Sequence, residues 1–234
     1  MAFNGDAFTI TGLVLGMAIP TGVTSFIWVS MKKGNTALAL AIILIDSLLS
    51  PFIVPFSLSL FIDQKVSIDF MNMVMSLLYM IVLPSIAGML LNGITKGKVI
   101  HVWKPRLSPF SKIFLGFVVM LNGALIAPYL KEINVKLLFI ILVVTAITFT
   151  GYIFVFLLAK LLKYDSETLV AFTFIGGMRN ISAGSVIAIA YFPPQVILPV
   201  VTGMLFQVTV ASIYASFLDR YYNRKVTEKS RISI

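Results

Sequence analysis

The chain has 234 residues, 59% of them hydrophobic and only 12% charged, with a formal net charge of +9 and a mean hydropathy of +1.01. A soluble domain carries about a quarter charged residues, so this composition excludes soluble and fibrous classes and indicates an integral membrane protein. With no cysteine and one histidine, His101, a disulfide framework, a thiol nucleophile and a Cys/His metal cluster are also excluded.

Seven stretches are apolar and long enough to cross a bilayer as helices, for which roughly 20 residues suffice. They are residues 7–29, 36–62, 70–91, 113–130, 137–158, 169–191 and 196–218. Their apolar character is continuous rather than alternating, which excludes a β-barrel. The N-terminus has no basic region and no small-residue cleavage site, so it is not read as a signal peptide. The first span is interrupted by "GMAIPTGVTS", residues 16–25, with Pro20 and Gly22 at its middle. The second carries Asp46, Pro51 and Pro55, the third Pro84, and the fourth Asn122 and Pro128. The basic stretch 95–112, which contains His101, reads as a loop. The sixth span is interrupted by "GGMRNISAGS", residues 176–185, and the seventh carries Pro199 and Gly203. Pro84, Pro128 and Pro199 read as kinks, and Asn122 as facing a cleft or bonding neighbouring backbone. Of the 27 charged residues, only Asp46 and Arg179 fall inside a span.

The loops set the orientation. Fourteen basic residues lie on one side, in the turns after spans one, three and five and in the tail, against three on the other: Lys65, Lys131 and Lys136. Basic loops stay cytoplasmic, which predicts an external N-terminus and a cytoplasmic C-terminus in a multi-pass protein of the cell membrane. The charge of +9 is therefore topological and lipid-facing, with no nucleic-acid partner.

Spans one and six run in opposite directions, and each pairs a Gly/Pro-rich interruption with a following long span. Such placement in two inverted halves marks the substrate site of secondary transporters. Residues 19–22 and 176–180 are predicted to be non-helical and close together at mid-membrane. Gly176 and Gly177 would permit the unwound backbone, and Asn180 would bond the freed groups. Thr24, Ser25, Ser182 and Ser185 line the crossing or pack helices together. The second half has three spans before its broken helix and the first has none, which predicts an N-terminally shortened chain.

Residues 166–224, "SETLVAFTFIGGMRNISAGSVIAIAYFPPQVILPVVTGMLFQVTVASIYASFLDRYYNR", resemble the last two helices of the bile acid:sodium symporter family. Their marks are a Gly-x-x-Asn core, a small-residue helix, an aromatic-Pro turn and a long final helix. Residues 16–56, "GMAIPTGVTSFIWVSMKKGNTALALAIILIDSLLSPFIVPF", resemble that family's fourth and fifth helices. The resemblance implies an all-α membrane fold of ten helices in two inverted repeats, here without the first three helices. Residues 1–62 would end the first repeat, 63–218 form the second, and 219–234 a basic cytoplasmic tail. Where sodium-coupled members carry ion ligands, this chain has Ile175, Phe26, Ile43, Ala39 and Arg179. Four of these offer no side-chain oxygen and the fifth is a cation, which argues against sodium sites.

A buried intramembrane arginine costs about 3 kcal/mol on insertion scales, so Arg179 should face a cavity or a partner. Asp46 is the one charged residue inside another span. Either the two form a fixed internal ion pair in a site for a small organic anion, or they form a lock that only holds the bundle. The predicted substrate-binding set is Arg179, Asn180, Asp46, Ser25, Thr24 and Ser182, with the helix breaks at Pro20, Gly22, Gly176 and Gly177, and with no cofactor, metal or enzymatic chemistry. Two function classes follow: a secondary carrier of a small organic anion that is not sodium-coupled, or a non-transporting remnant or sensor.

Overall fold

A computed structural model describes residues 6–61, 69–130 and 134–232, and these are almost entirely helical. Ten α-helices follow in order: α1 (Ala7–Ala18), α2 (Thr24–Met31), α3 (Thr36–Phe61), α4 (Phe70–Leu77), α5 (Leu83–Ile94), α6 (Lys98–Leu130), α7 (Val135–Leu161), α8 (Ser166–Gly177), α9 (Ile181–Tyr191) and α10 (Ile197–Ile232). A π-helical turn, Leu78–Val82, joins α4 to α5, and a 3₁₀ turn, Pro194–Val196, leads into α10.

Among the described residues, five helical stretches are long and apolar enough to cross a bilayer: Thr36–Phe61, Phe70–Ile94, Pro105–Leu125, Val135–Leu161 and Pro194–Tyr222. The other two expected spans are each split into half-helices, α1 with α2 and α8 with α9. The structure corrects the basic stretch 95–112. From Lys98 it is helix, continuous with the fourth span and containing Pro105 and Pro109. His101 therefore lies on a helix and not in a loop. The C-terminal segment likewise prolongs α10 as far as Ile232.

Short polar residues start the helices. The side chains of Asp6, Asn35, Asp69, Asn134, Asp165 and Asn180 accept hydrogen bonds from backbone N–H groups in the first turns of α1, α3, α4, α7, α8 and α9. These caps satisfy donors that helix geometry leaves unpaired. Three helices end alike. Lys33, Lys96 and Lys163 adopt φ of 55°, 49° and 57° after α2, α5 and α7. The following N–H groups of Gly34, Gly97 and Tyr164 reach back to the carbonyls of Val29, Asn92 and Ala159. This is the Schellman ending, and its lysines sit where the helix dipole favours a cation.

Two apolar clusters hold the bundle. One joins Leu15 and Ile19 of the first half-helix to Val54, Leu58, Ile140, Ile187 and Val200. The other joins Val29 and Ala39 to Tyr152, Phe174, Met178, Val210 and Tyr214. Glycines allow the closest approaches between α8 and α7. A Cβ on Gly176 would meet Val155 at 2.5 Å, and one on Gly177 would meet the Tyr152 ring at 2.5 Å. Tyr152 cannot give way readily, because it is fully buried and stacked on Tyr214 at 4.7 Å. Ion pairs tie the two ends. Lys32 binds Asp219 at 2.5 Å, joining α2 to α10, and Lys136 binds Asp6 at 2.6 Å, joining the starts of α7 and α1. Burial opposes ionisation of Asp6, but hydrogen bonds from Lys136 and Thr9 still hold its carboxyl below the usual carboxylate range.

Candidate functional site at the crossing of two broken helices

The two interruptions meet at the seam between the apolar clusters. Thr21 and Arg179 form an isolated antiparallel β-bridge. The Gly22 N–H donates to the Met178 carbonyl at 3.2 Å, and the Asn180 N–H donates to the Pro20 carbonyl at 2.8 Å. Non-helical backbone inside a membrane protein must find internal partners, and here each break supplies the other's. Pro20 ends α1 and has no N–H to satisfy. Gly22 is required by distance, since a Cβ there would lie 2.7 Å from the Arg179 carbonyl oxygen. The antiparallel sense of the bridge is the one that oppositely directed helices produce.

The predicted break is shifted at its second half. Gly176 and Gly177 are not unwound, because α8 continues through Gly177. The non-helical residues are Met178, Arg179 and Asn180. The two glycines instead let α8 press against Val155 and Tyr152 of α7, a role set by residues on another helix. Asn180 does bond freed backbone, since its side chain accepts the Ala183 N–H at 3.3 Å.

Gln207 on α10 is the largest contributor that the motif reading missed. Its Oε1 accepts the Arg179 N–H at 2.7 Å, and its Nε2 donates to the Arg179 carbonyl at 3.1 Å. This buried amide therefore satisfies both backbone groups of Arg179 and fixes the break to α10. Its signal was available, as the one amide side chain in the seventh span.

Asp46 and Arg179 come together without pairing directly. The Asp46 carboxylate accepts the backbone N–H of Thr21. Among the described residues no ion pair forms between Asp46 and Arg179. Both line a cavity of about 470 Å³ whose other walls are mostly apolar, from Ile42, Ile45 and Leu49 of α3 to Val155 and Leu158 of α7. A second, smaller cavity of about 80 Å³ lies against α1, α7 and α10, lined by Gly12, Gly16, Pro199 and Gln207. Arg179 lines both. The larger cavity uses the last third of α7 and the second half of α8, whereas the smaller uses the first half of α10 and the middle of α7. Gly176 of α8 also lines both.

The remaining predicted residues divide. Ser25 is fully buried and its hydroxyl has no hydrogen-bond partner among the described residues, whereas Thr24 is exposed and Ser182 half-buried. Ser185 bonds back to the Ile181 and Ser182 carbonyls within α9. Asn122 is buried, with its amide 3.9 Å from the Met204 sulfur. At the positions of family ion ligands, Ile175, Ile43 and Ala39 are buried in packing and Phe26 lies partly buried against the second cluster. Among the described residues no group of three or more His, Asp or Glu could hold a metal.

Comparison with known proteins identifies the family. Residues 2–220 match the model of the SBF-like CPA transporter family. The chain is 45% identical over 230 residues to the uncharacterized protein YbaS of Bacillus subtilis (strain 168), covering 98% of this chain and 75% of that protein. It is 29% identical over 221 residues to the uncharacterized sodium-dependent transporter YocS of the same organism, covering 93% of this chain and 65% of that one. It is also 26% identical over 181 residues to the probable chloroplastic sodium/metabolite cotransporter BASS1 of Arabidopsis thaliana, covering 77% of this chain and 44% of that protein. The chain thus spans well under the full length of these relatives. From its matched residues and its helical architecture, the chain is a membrane protein of the SBF-like CPA transporter family, within the bile acid:sodium symporter group that its motifs resemble.

Proposed function

We propose that this chain is the transporting part of a secondary carrier for a small organic anion, and that it works without sodium. The observation that carries this reading is Arg179. Arg179 lines a mostly apolar cavity, its guanidinium makes no ion pair or hydrogen bond among the described residues, and arginine is charged at any working pH. An unpaired cation in a low-dielectric cavity attracts an anion. The surrounding α3, α7 and α8 side chains suit an apolar body. The same arginine lines two neighbouring cavities, so an anion in either would meet it. Thr24, Ser25, Ser182 and Asn180 lie at or beside the crossing but line neither of these two cavities.

The relatives YocS and BASS1 are named sodium-dependent and sodium/metabolite transporters. Sodium dependence does not carry over in this reading, because Ile175, Ile43, Ala39 and Phe26 fill the corresponding positions with hydrocarbon and Arg179 brings a positive charge. In effect Arg179 stands in for the bound ion as a fixed internal cation.

The half-helix pairs α1–α2 and α8–α9, each followed by a long helix, are read as the cores of two inverted repeats. Residues 1–62 end the first repeat, residues 63–218 form the second, and residues 219–234 are a basic cytoplasmic tail. The protein sits in the cell membrane with its N-terminus external. A reporter fused after Ile234 is expected to read cytoplasmic and one at Lys65 external; the reverse pattern contradicts the orientation.

Uptake of labelled organic monoanions, from pyruvate to taurocholate, into liposomes containing the purified chain tests the function. Uptake above protein-free liposomes is expected, with equal rates in sodium and potassium media. A rate that climbs steeply with external sodium contradicts sodium independence. No uptake or exchange of any anion contradicts the carrier and leaves the non-transporting reading.

A further inference from the structure

We propose that Asp46 is a proton site whose protonation is coupled to anion binding beside Arg179, so that the carrier moves one proton with each monovalent anion. The proposal rests on the anion-carrier reading and adds the coupling ion.

Asp46 on α3 and Arg179 at the second break are the two ionisable residues lining the larger cavity. The other walls bring no titratable group: α3 presents Ile42 and Ile45, α7 presents Val155 and Leu158, and α8 presents Phe172 and Ile175. With Asp46 ionised the two charges cancel. An entering monoanion would then leave one uncompensated negative charge in an apolar space, which is strongly unfavourable. With Asp46 neutral, the cavity carries the single positive charge of Arg179, and one monoanion brings it to zero. Anion and proton therefore favour each other's binding, and by linkage the effect is reciprocal.

The geometry suits a reversible proton. Asp46 and Arg179 are not locked in a direct ion pair, so protonating Asp46 breaks no salt bridge. The bond from the Thr21 N–H is one that either form of the carboxyl group can accept, so the crossing keeps its backbone partner in both states. Asp46 is only partly buried and opens onto the cavity, which gives a proton a route to it. The anion is held by Arg179 and the proton by Asp46, with the apolar walls penalising any occupied state of net charge. Atoms and charge balance in each cycle: one monoanion and one proton enter together, the neutral loaded site turns, and both leave on the other side.

Labelled pyruvate and taurocholate, assayed separately in liposomes containing the full chain, test this. The interior is held at pH 7.5 and the medium is moved between pH 7.5 and 5.5, with protein-free liposomes correcting for passive entry. For at least one probe, the wild-type chain is expected to show accumulation driven by the inward proton gradient. The medium should lose one proton per anion taken up, and apparent affinity should rise on the order of 5–150-fold between the ionised and protonated states. Asp46→Asn is expected to lose both the gradient drive and the pH dependence. Accumulation indifferent to the gradient, uptake without proton movement, or an Asp46→Asn protein still driven by the gradient overturns the proposal. The proton count on the wild-type chain decides the matter even if the variant does not fold. A wild-type chain that exchanges anion but moves no proton overturns the coupling alone. One that neither takes up nor exchanges either probe overturns the carrier reading, and the coupling with it.

Discussion

Replacing Gly22 with alanine is expected to open the crossing. The added Cβ would lie 2.7 Å from the carbonyl oxygen of Arg179 and 3.1 Å from its carbonyl carbon. These are backbone atoms held in place by Gln207, so no side chain can rotate out of the way. The strands of the bridge must separate, at an overpacking cost of about 1–3 kcal/mol, with loss of the Gly22 N–H bond adding about 1 kcal/mol. Gly116 on α6 is the internal comparison, since nothing lies within 4 Å of a Cβ built there. Gly116→Ala is expected to be neutral or slightly stabilising, because alanine favours a helix over glycine by about 1 kcal/mol. Thermal unfolding in detergent should place Gly22→Ala well below wild type and Gly116→Ala at or above it. Equal melting temperatures for the two variants would mean that Gly22 is not at a backbone contact.

Gln207→Leu is expected to have an effect of similar size by a different route. Leucine approximates the volume of glutamine but offers neither an acceptor to the Arg179 N–H nor a donor to its carbonyl. Both bonds go to one backbone residue, and no neighbouring helix can replace them without moving. Each polar group left unpaired costs about 1–3 kcal/mol. The variant should therefore unfold at a lower temperature and also lose anion affinity, because the break that aims Arg179 into the cavity is no longer fixed. Unchanged stability together with unchanged uptake would show that α10 does not hold the break.

Much of the architecture was legible because a bilayer imposes strong rules. Continuous apolar runs located the five long helices, and Pro20 and Gly22 located the first interruption within one or two residues. Arg179 and Asp46 stood out as the two charges inside spans, and the structure brings them to one cavity. What escaped depends on partners distant in the chain. A glycine can unwind a helix or admit a neighbour, and the sequence alone does not distinguish these. Gly176 and Gly177 turned out to admit Val155 and Tyr152. Gln207 carried a signal as a lone amide on an apolar helix, but its target is the backbone of Arg179, and backbone acceptors leave no mark in sequence. For the same reason the acceptor role of Asp46 toward the Thr21 N–H could not be read. The stretch 95–112 reads as a loop from its basic charges. In the structure the helix continues through both Pro105 and Pro109, although each lacks a backbone donor and crowds the carbonyl four residues back.

The claim on which the rest depends is that the two breaks cross at Thr21 and Arg179, and the absence of native cysteine allows a direct test. The hydrogen bonds flank this pair on both sides, as in the closely spaced, non-hydrogen-bonded pair of an antiparallel ladder, where the Cα atoms lie about 4.5 Å apart. Disulfides span Cα separations of about 4.4–6.8 Å. The doubly substituted chain, Thr21→Cys with Arg179→Cys, is therefore predicted to form an intramolecular disulfide on mild oxidation, detected by mass spectrometry of the linked peptides. Neither single substitution should form one. Free thiols at both positions in the oxidised, folded double variant, or disulfides only between separate molecules, would contradict the crossing and the site built on it.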